Sequence, residues 1–182
     1  MINQLFGTSL PNDTSIAVIP PAYRPVLTEI VDIASQLLAR GMRVPCTYYI
    51  GCSDKHVLQE FPIDNDTPQT KHMSATVARC LAAAMGADFA IMTSEVWAMP
   101  IEKYHLIESV LARFGSIAAY PERIDAALFH LETRDGFFSG TATINQPLLT
   151  SNRRTTGEVT WFQSDVAEGV LAGILPKLPI TR

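Results

Sequence analysis

The sequence predicts an α+β fold: a single domain in which an antiparallel β-sheet carries amphipathic helices mainly on one face. Three observations lead there. Apolar residues recur at helical spacing in several segments, β-branched and aromatic runs lie between them, and Asp135-Gly136 separates two β-rich runs. A two-residue turn at that dipeptide forces antiparallel pairing. The chain has 182 residues, 47% of them hydrophobic and 18% charged. That is the size of one domain, and so much apolar surface excludes disorder for its bulk. An α/β variant stays open for the first half, where a strand at 15–19, a helix at 25–40 and a strand at 44–52 would form a right-handed βαβ unit.

Residues 1–14 are polar and turn-rich and read as an extended arm, 15–175 as the domain, and 176–182, with Pro176 and Pro179, as an irregular tail. Residues 15–19 are apolar and β-branched, a strand stopped by Pro20-Pro21. Val26, Leu27, Ile30, Val31, Ala34, Leu37 and Leu38 make one helical stripe, with Pro25 in the first turn and Gly41 at the end. Residues 44–52 read as a strand. Residues 53–60 hold one helical turn, followed by a polar loop through 69. A second helix spans 71–85, with Thr70 as cap, Gly86 as stop, and Met73, Val77, Cys80, Leu81, Ala84 and Met85 on its apolar face. Residues 88–99 form a central strand, and 101–114 a third helix ending at Gly115. After the hairpin of 124–144 come a strand at 158–163 and a last helix, with Asp165 and Glu168 as a capping box and Val166, Val170, Leu171 and Ile174 facing inward.

The hairpin register carries the main functional expectation. With Asp135 and Gly136 as turn residues, Ala127, Phe129, Leu131 and Thr133 share an apolar face with Phe138, Gly140, Ala142 and Ile144, which lies under the helices. The other face is polar, setting Glu132 against Ser139, His130 against Thr141 and Leu128 against Thr143. Three readings stay open for it: the solvent side of a half-covered sheet, a ligand site built on the His130–Glu132 pair, or a dimer interface.

Other constellations are weaker. Ser53-Asp54-Lys55-His56 beside Cys52 reads as a capped turn rather than a Cys-His nucleophile. Arg153-Arg154 reads as a solvated loop rather than an anion site, and His72 and His105 as surface residues. Gly169 and Gly173 form a smooth strip for a close helix contact or for packing on the sheet. No Gly-rich phosphate loop, CxxC, HExxH or GxSxG occurs, so no cofactor and no metal is expected. The net charge of −4 argues against nucleic acid as a partner. No apolar run reaches the ~18–20 residues a bilayer requires. An odd cysteine count (Cys46, Cys52, Cys80) and a start without a signal-peptide pattern lead to the expectation of reduced thiols in the cytoplasm.

Ser94-Glu95-Val96-Trp97-Ala98-Met99 closes the central strand, and Tyr120-Pro121-Glu122-Arg123-Ile124-Asp125-Ala126 leads into the hairpin. This combination, within residues 73–146, resembles small uncharacterised proteins of bacteriophages and bacterial genomes that carry a Ser-Glu-Ala-Trp-like strand motif before a Pro-Asp-Arg-x-Glu-Ala-like motif. Val96, Glu122 and Asp125 depart from that pattern. The resemblance implies a phage or prophage setting and brings no activity with it. Physically, the motifs place Glu95, Trp97 and Arg123 at adjacent strand ends, as a Glu–Arg clasp under the indole or as a ligand pocket.

Two functions follow as expectations. The first is a non-catalytic module that binds a protein partner or itself, as a homodimer. The second is a small-ligand binder or acid/base enzyme using Glu95, Trp97, Arg123, His130, Glu132, Ser139 and Thr141.

Overall fold

The clearest helical stripe forms as expected. In the computed structural model, which describes residues 15–146, 153–164 and 171–176, α1 runs Arg24–Ala39 and buries Leu27, Ile30, Ala34 and Leu38. Gly41 follows at φ +75, a conformation open to a residue without Cβ. Among the described residues before α1 there is no strand. Residues Ile16–Val18 form a 3₁₀ turn, because the Ser15 side chain accepts the Ala17 N–H and starts it. The βαβ unit therefore does not exist, and the α+β class with an antiparallel sheet is what the chain adopts.

The sheet contains seven strands among the described residues: β1 (Thr47–Cys52), β2 (Val57–Pro62), β3 (Phe89–Ala98), β4 (Ile124–Thr133), β5 (Gly136–Asn145), β6 (Thr155–Thr156) and β7 (Thr160–Ser164). Their order is β2-β1-β3-β4-β5-β6, with β7 also paired to β5, and every pairing is antiparallel. β2 corrects the expected helical turn and loop at 53–69. The chain reverses at 53–56, with His56 at φ +52, and returns as a hairpin strand.

Both sheet faces are covered. On one, α1 packs over Tyr49, Phe89, Ile91, Phe129, Leu131, Phe138 and Trp161. Gly140 leaves room there for the Trp161 ring, which a Cβ would meet at 2.5 Å. On the other, α2 (Pro68–Met85) packs Ala78 and Ala82 against Tyr48, Ile50 and Ala90. The helices are thus divided between the faces rather than gathered mainly on one. α2 is capped by Thr67, with Thr70 as the reciprocal partner of a capping box, and Gly86 ends it at φ +65. Its fully buried side is Ser74, Ala75, Ala78 and Ala82; of the expected stripe, Leu81 and Met85 pack partly buried against this core and the rest turn outward. Small residues let the helix axis approach the bulky side chains of β1, which leaves Met73, Val77 and Cys80 exposed.

Between β3 and β4 the chain makes a 3₁₀ segment (Ile101–Leu106) and then α3 (Ile107–Phe114), around a small core of Met99, Val110 and Tyr120. The expected last helix is not seen where its residues are described: 171–176 is irregular, with Gly173 at φ +66. Its capping box, Val166, Val170 and Gly169 lie outside the described residues, as do the arm at 1–14 and the tail beyond 176.

Candidate functional site

Thr133 pairs with Gly136, so the turn residues of the β4–β5 hairpin are Arg134 and Asp135 rather than Asp135 and Gly136. The Thr133 hydroxyl accepts the Asp135 N–H and donates to the Gly136 carbonyl, both at 3.1 Å, which closes the turn one residue early. Neither turn residue has positive φ, so this is not the type I′ turn expected. The pairing slips by two residues: His130 faces Ser139, Glu132 faces Phe137 and Leu128 faces Thr141. An even slip keeps each residue on its face, so the apolar and polar sets survive.

The polar face is not the solvent side of the sheet. His130, Glu132 and Ser139 are all buried, while Thr141 is half-buried. Segment 171–176 lies across this face and is held by three side chains from three elements. Tyr48 of β1 donates its hydroxyl to the Leu171 carbonyl at 2.5 Å. Arg79 of α2 donates to the Ala172 and Gly173 carbonyls, each at 2.9 Å. Glu132 of β4 accepts the Ile174 and Leu175 N–H groups, each at 2.9 Å. These bonds satisfy a backbone with no ladder of its own and seat Ile174 in the second core. Burial pushes the Tyr48 hydroxyl far above the usual phenol range, with the Glu132 charge adding to the effect, so it stays a donor.

His130 is 8% exposed. Its Nδ1 lies 2.8 Å from the Ser139 hydroxyl, and its ring stacks on Phe137. Nε2 has no hydrogen-bond partner among the described residues. Burial lowers its pKa to about 4, so the ring is neutral at neutral pH.

Glu95 stands on the opposite face. It alternates with Phe89 and Ile91, which pack under α1, whereas His130 and Glu132 pair with Met92 and Ala90 on the α2 side. One site cannot contain all the predicted carboxylates. Glu95 does not pair with Arg123 either: its Oε1 accepts Arg154 Nη1 at 2.6 Å, and its Oε2 accepts the Val44 N–H at 3.2 Å. Arg154 also donates to the Met42 carbonyl at 2.7 Å, and its N–H donates to the Leu38 carbonyl at 3.0 Å. The residue expected in a solvated loop is therefore the tie between the end of α1 and the sheet. Arg123 instead lies 5.5 Å over the Trp97 ring, near the protein surface.

Arg154→Ala is expected to cost about 2 kcal/mol, since it strips the main partner from a largely buried carboxylate. Arg123→Ala, which loses only a surface cation–π contact, should cost less than about 1 kcal/mol. Urea unfolding of the two variants measures the difference.

Ser53 donates to Asp88 through its N–H and hydroxyl, and Lys55 donates to the Met85 carbonyl at 3.1 Å, so the 52–56 cluster is a structural turn. No group of three or more His, Cys, Asp and Glu side chains among the described residues could hold a metal ion. Among them, too, no helix is long and apolar enough to cross a membrane. Compared with known proteins, the chain matches no family model, no curated protein and no solved structure, so its own residues carry the functional argument.

Proposed function

We propose that this protein is a non-catalytic binding module whose contact surface is the outer flank of α2 together with β2, the strand whose outer edge is unpaired among the described residues. The carrying observation is the packing of α2. A helix that buries Ala75, Ala78 and Ala82 while turning Met73 (68% exposed) and Val77 (48%) to water keeps large apolar side chains available for another surface. The predicted polar residues support the same reading. Glu132 holds segment 171–176, Glu95 holds Arg154, and His130 is walled in. None of these groups is free to take a substrate without undoing part of the fold. The phage or prophage setting belongs to this reading through the sequence resemblance alone.

A thermal-shift screen of small ligands and metal ions tests it. The expected result is no stabilisation that depends on His130. A rise in melting temperature that His130→Ala abolishes would overturn the proposal in favour of the ligand-binding or acid/base reading.

A further inference from the structure

We infer that two copies of this chain join edge to edge through β2, with the α2 flanks meeting above the seam. The inference deepens the binding-module reading by naming the partner as a second copy.

β2 is the terminal strand of the sheet, and its outer edge is unpaired among the described residues. Which backbone groups point outward follows from one bond. The Ile63 N–H donates to the Cys46 carbonyl at 2.9 Å, in register with the β1–β2 ladder. Antiparallel hydrogen-bonded pairs alternate, so Val57, Gln59 and Phe61 bond inward to β1 while Leu58 and Glu60 direct their N–H and C=O groups outward. The Gln59 side-chain amide donates to that Glu60 carbonyl at 2.9 Å, a local stand-in for a missing strand.

The edge specifies its own register. About a two-fold axis, antiparallel β2–β2 pairing centred on Gln59 sets Leu58 opposite Glu60 of the copy and forms four backbone bonds. Centring on Glu60 opposes two carboxylates directly, which is destabilising, and Pro62 lacks an N–H to extend that ladder. Centring on Leu58 loses bonds, because His56 is left-handed and its N–H is already given to the Ser53 carbonyl.

The apolar surface falls where this seam needs it. α2 packs over β1, beside β2, and its two ends touch the residues that flank β2: Ser74 Oγ accepts the Asp64 N–H at one end, and Lys55 donates to the Met85 carbonyl at the other. Successive helical residues point about 100° apart. With Ala78 facing the sheet, Arg79 and Val77 therefore look to opposite flanks. Arg79 reaches segment 171–176, which is bonded to β4, so Val77 looks toward β2. Ala84, Met73 and Cys80 follow at helical spacing and turn progressively away from the sheet, over the outer side of the helix. On the strand itself, Val57 (46% exposed) shares the α2 face of β2 with Phe61, and centred pairing on Gln59 sets each Val57 against the copy's Phe61. Val77, Val57 and Phe61 thus line an apolar strip at the open edge, which Gln59, on the same α2 face, interrupts at the centre of the seam.

Sedimentation velocity is expected to show a dimer. Val77→Glu, which places an unpaired charge in the strip, should weaken it at least about tenfold. Position-specific cross-linking tests the register in a Cys80→Ser background. Gln59→Cys should form an intermolecular disulfide on mild oxidation, because residues 59 of the two copies are directly opposed with Cα atoms about 4.5 Å apart. Leu58→Cys, diagonal to its own copy, should stay reduced. A monomer at every accessible concentration, or a dimer that Val77→Glu leaves intact and Gln59→Cys fails to cross-link, would overturn the inference. That failure leaves the thermal-shift result untouched, while a His130-dependent ligand response would sink the broader reading without affecting the cross-link.

Discussion

Replacing Glu132 by alanine is expected to destabilise the protein by about 4 kcal/mol, the sum of two buried donors left without acceptors and the space the side chain vacates. Both oxygens are engaged, one on Ile174 N–H and the other on Leu175 N–H, each at 2.9 Å. The carboxylate is itself buried, so water cannot replace it without opening the site. Loss of these bonds also loosens the segment that seats Ile174 against Tyr48, Ile50 and Ala90. Glu132→Gln keeps the volume and one acceptor but turns an amide N–H₂ toward a backbone N–H, so it should recover less than half of the loss. Urea unfolding gives the magnitude, and hydrogen exchange gives the place: the Ile174 and Leu175 amides should lose protection in the alanine variant before those of β4. A change below about 1 kcal/mol would mean that the Tyr48 and Arg79 bonds and the packing of Ile174 hold the segment without Glu132.

The role of Glu132 shows where the sequence was legible and where it was not. Alternation along 124–144 assigns each side chain to the correct face even though the turn is misplaced, because a slip of two residues preserves parity. What covers the polar face depends on contacts made 42 and 43 residues away, with a segment whose composition suggests helix. The Glu95–Arg154 pair, 59 residues apart, is hidden for the same reason, and the nearer Arg123 is the natural but incorrect partner. β2 escapes notice because an edge strand exposed on both sides shows no apolar alternation, and Gln59, Glu60 and Pro62 read as loop. Periodicity places Leu81 and Met85 correctly on the inner side of α2 but misplaces Met73, Val77, Cys80 and Ala84, because it counts hydrophobicity. What decides here is size: a helix over Tyr48 and Ile50 gains closer packing from alanine than from methionine. Glu132 and Glu95 thus serve as internal ties, and Met73 and Val77, expected in the core, are exposed.

The second large effect is a loss of stability in mild acid that traces to His130. Burial lowers the folded-state pKa to about 4, against about 6.5 for an exposed imidazole. Between those values the unfolded chain binds a proton that the folded chain refuses, so stability falls as the pH drops through the window and is unaffected by this group above it. The difference corresponds to about 3 kcal/mol, fully lost by about pH 4. Hydrogen bonding offers no relief: Nδ1 is taken up with Ser139, and Nε2 has no acceptor among the described residues to receive a second N–H. Carboxylates elsewhere titrate over part of the same range, so the measurement is a difference. Urea unfolding from pH 7 to pH 4 for the native chain and for His130→Gln, which is polar but does not titrate, should show the native chain losing about 3 kcal/mol relative to the variant. Parallel curves would mean that the folded chain takes up the proton as readily as the unfolded one. In that event water or an acceptor reaches Nε2, and the sealed character of this face, which supports the non-catalytic reading, would be lost with it.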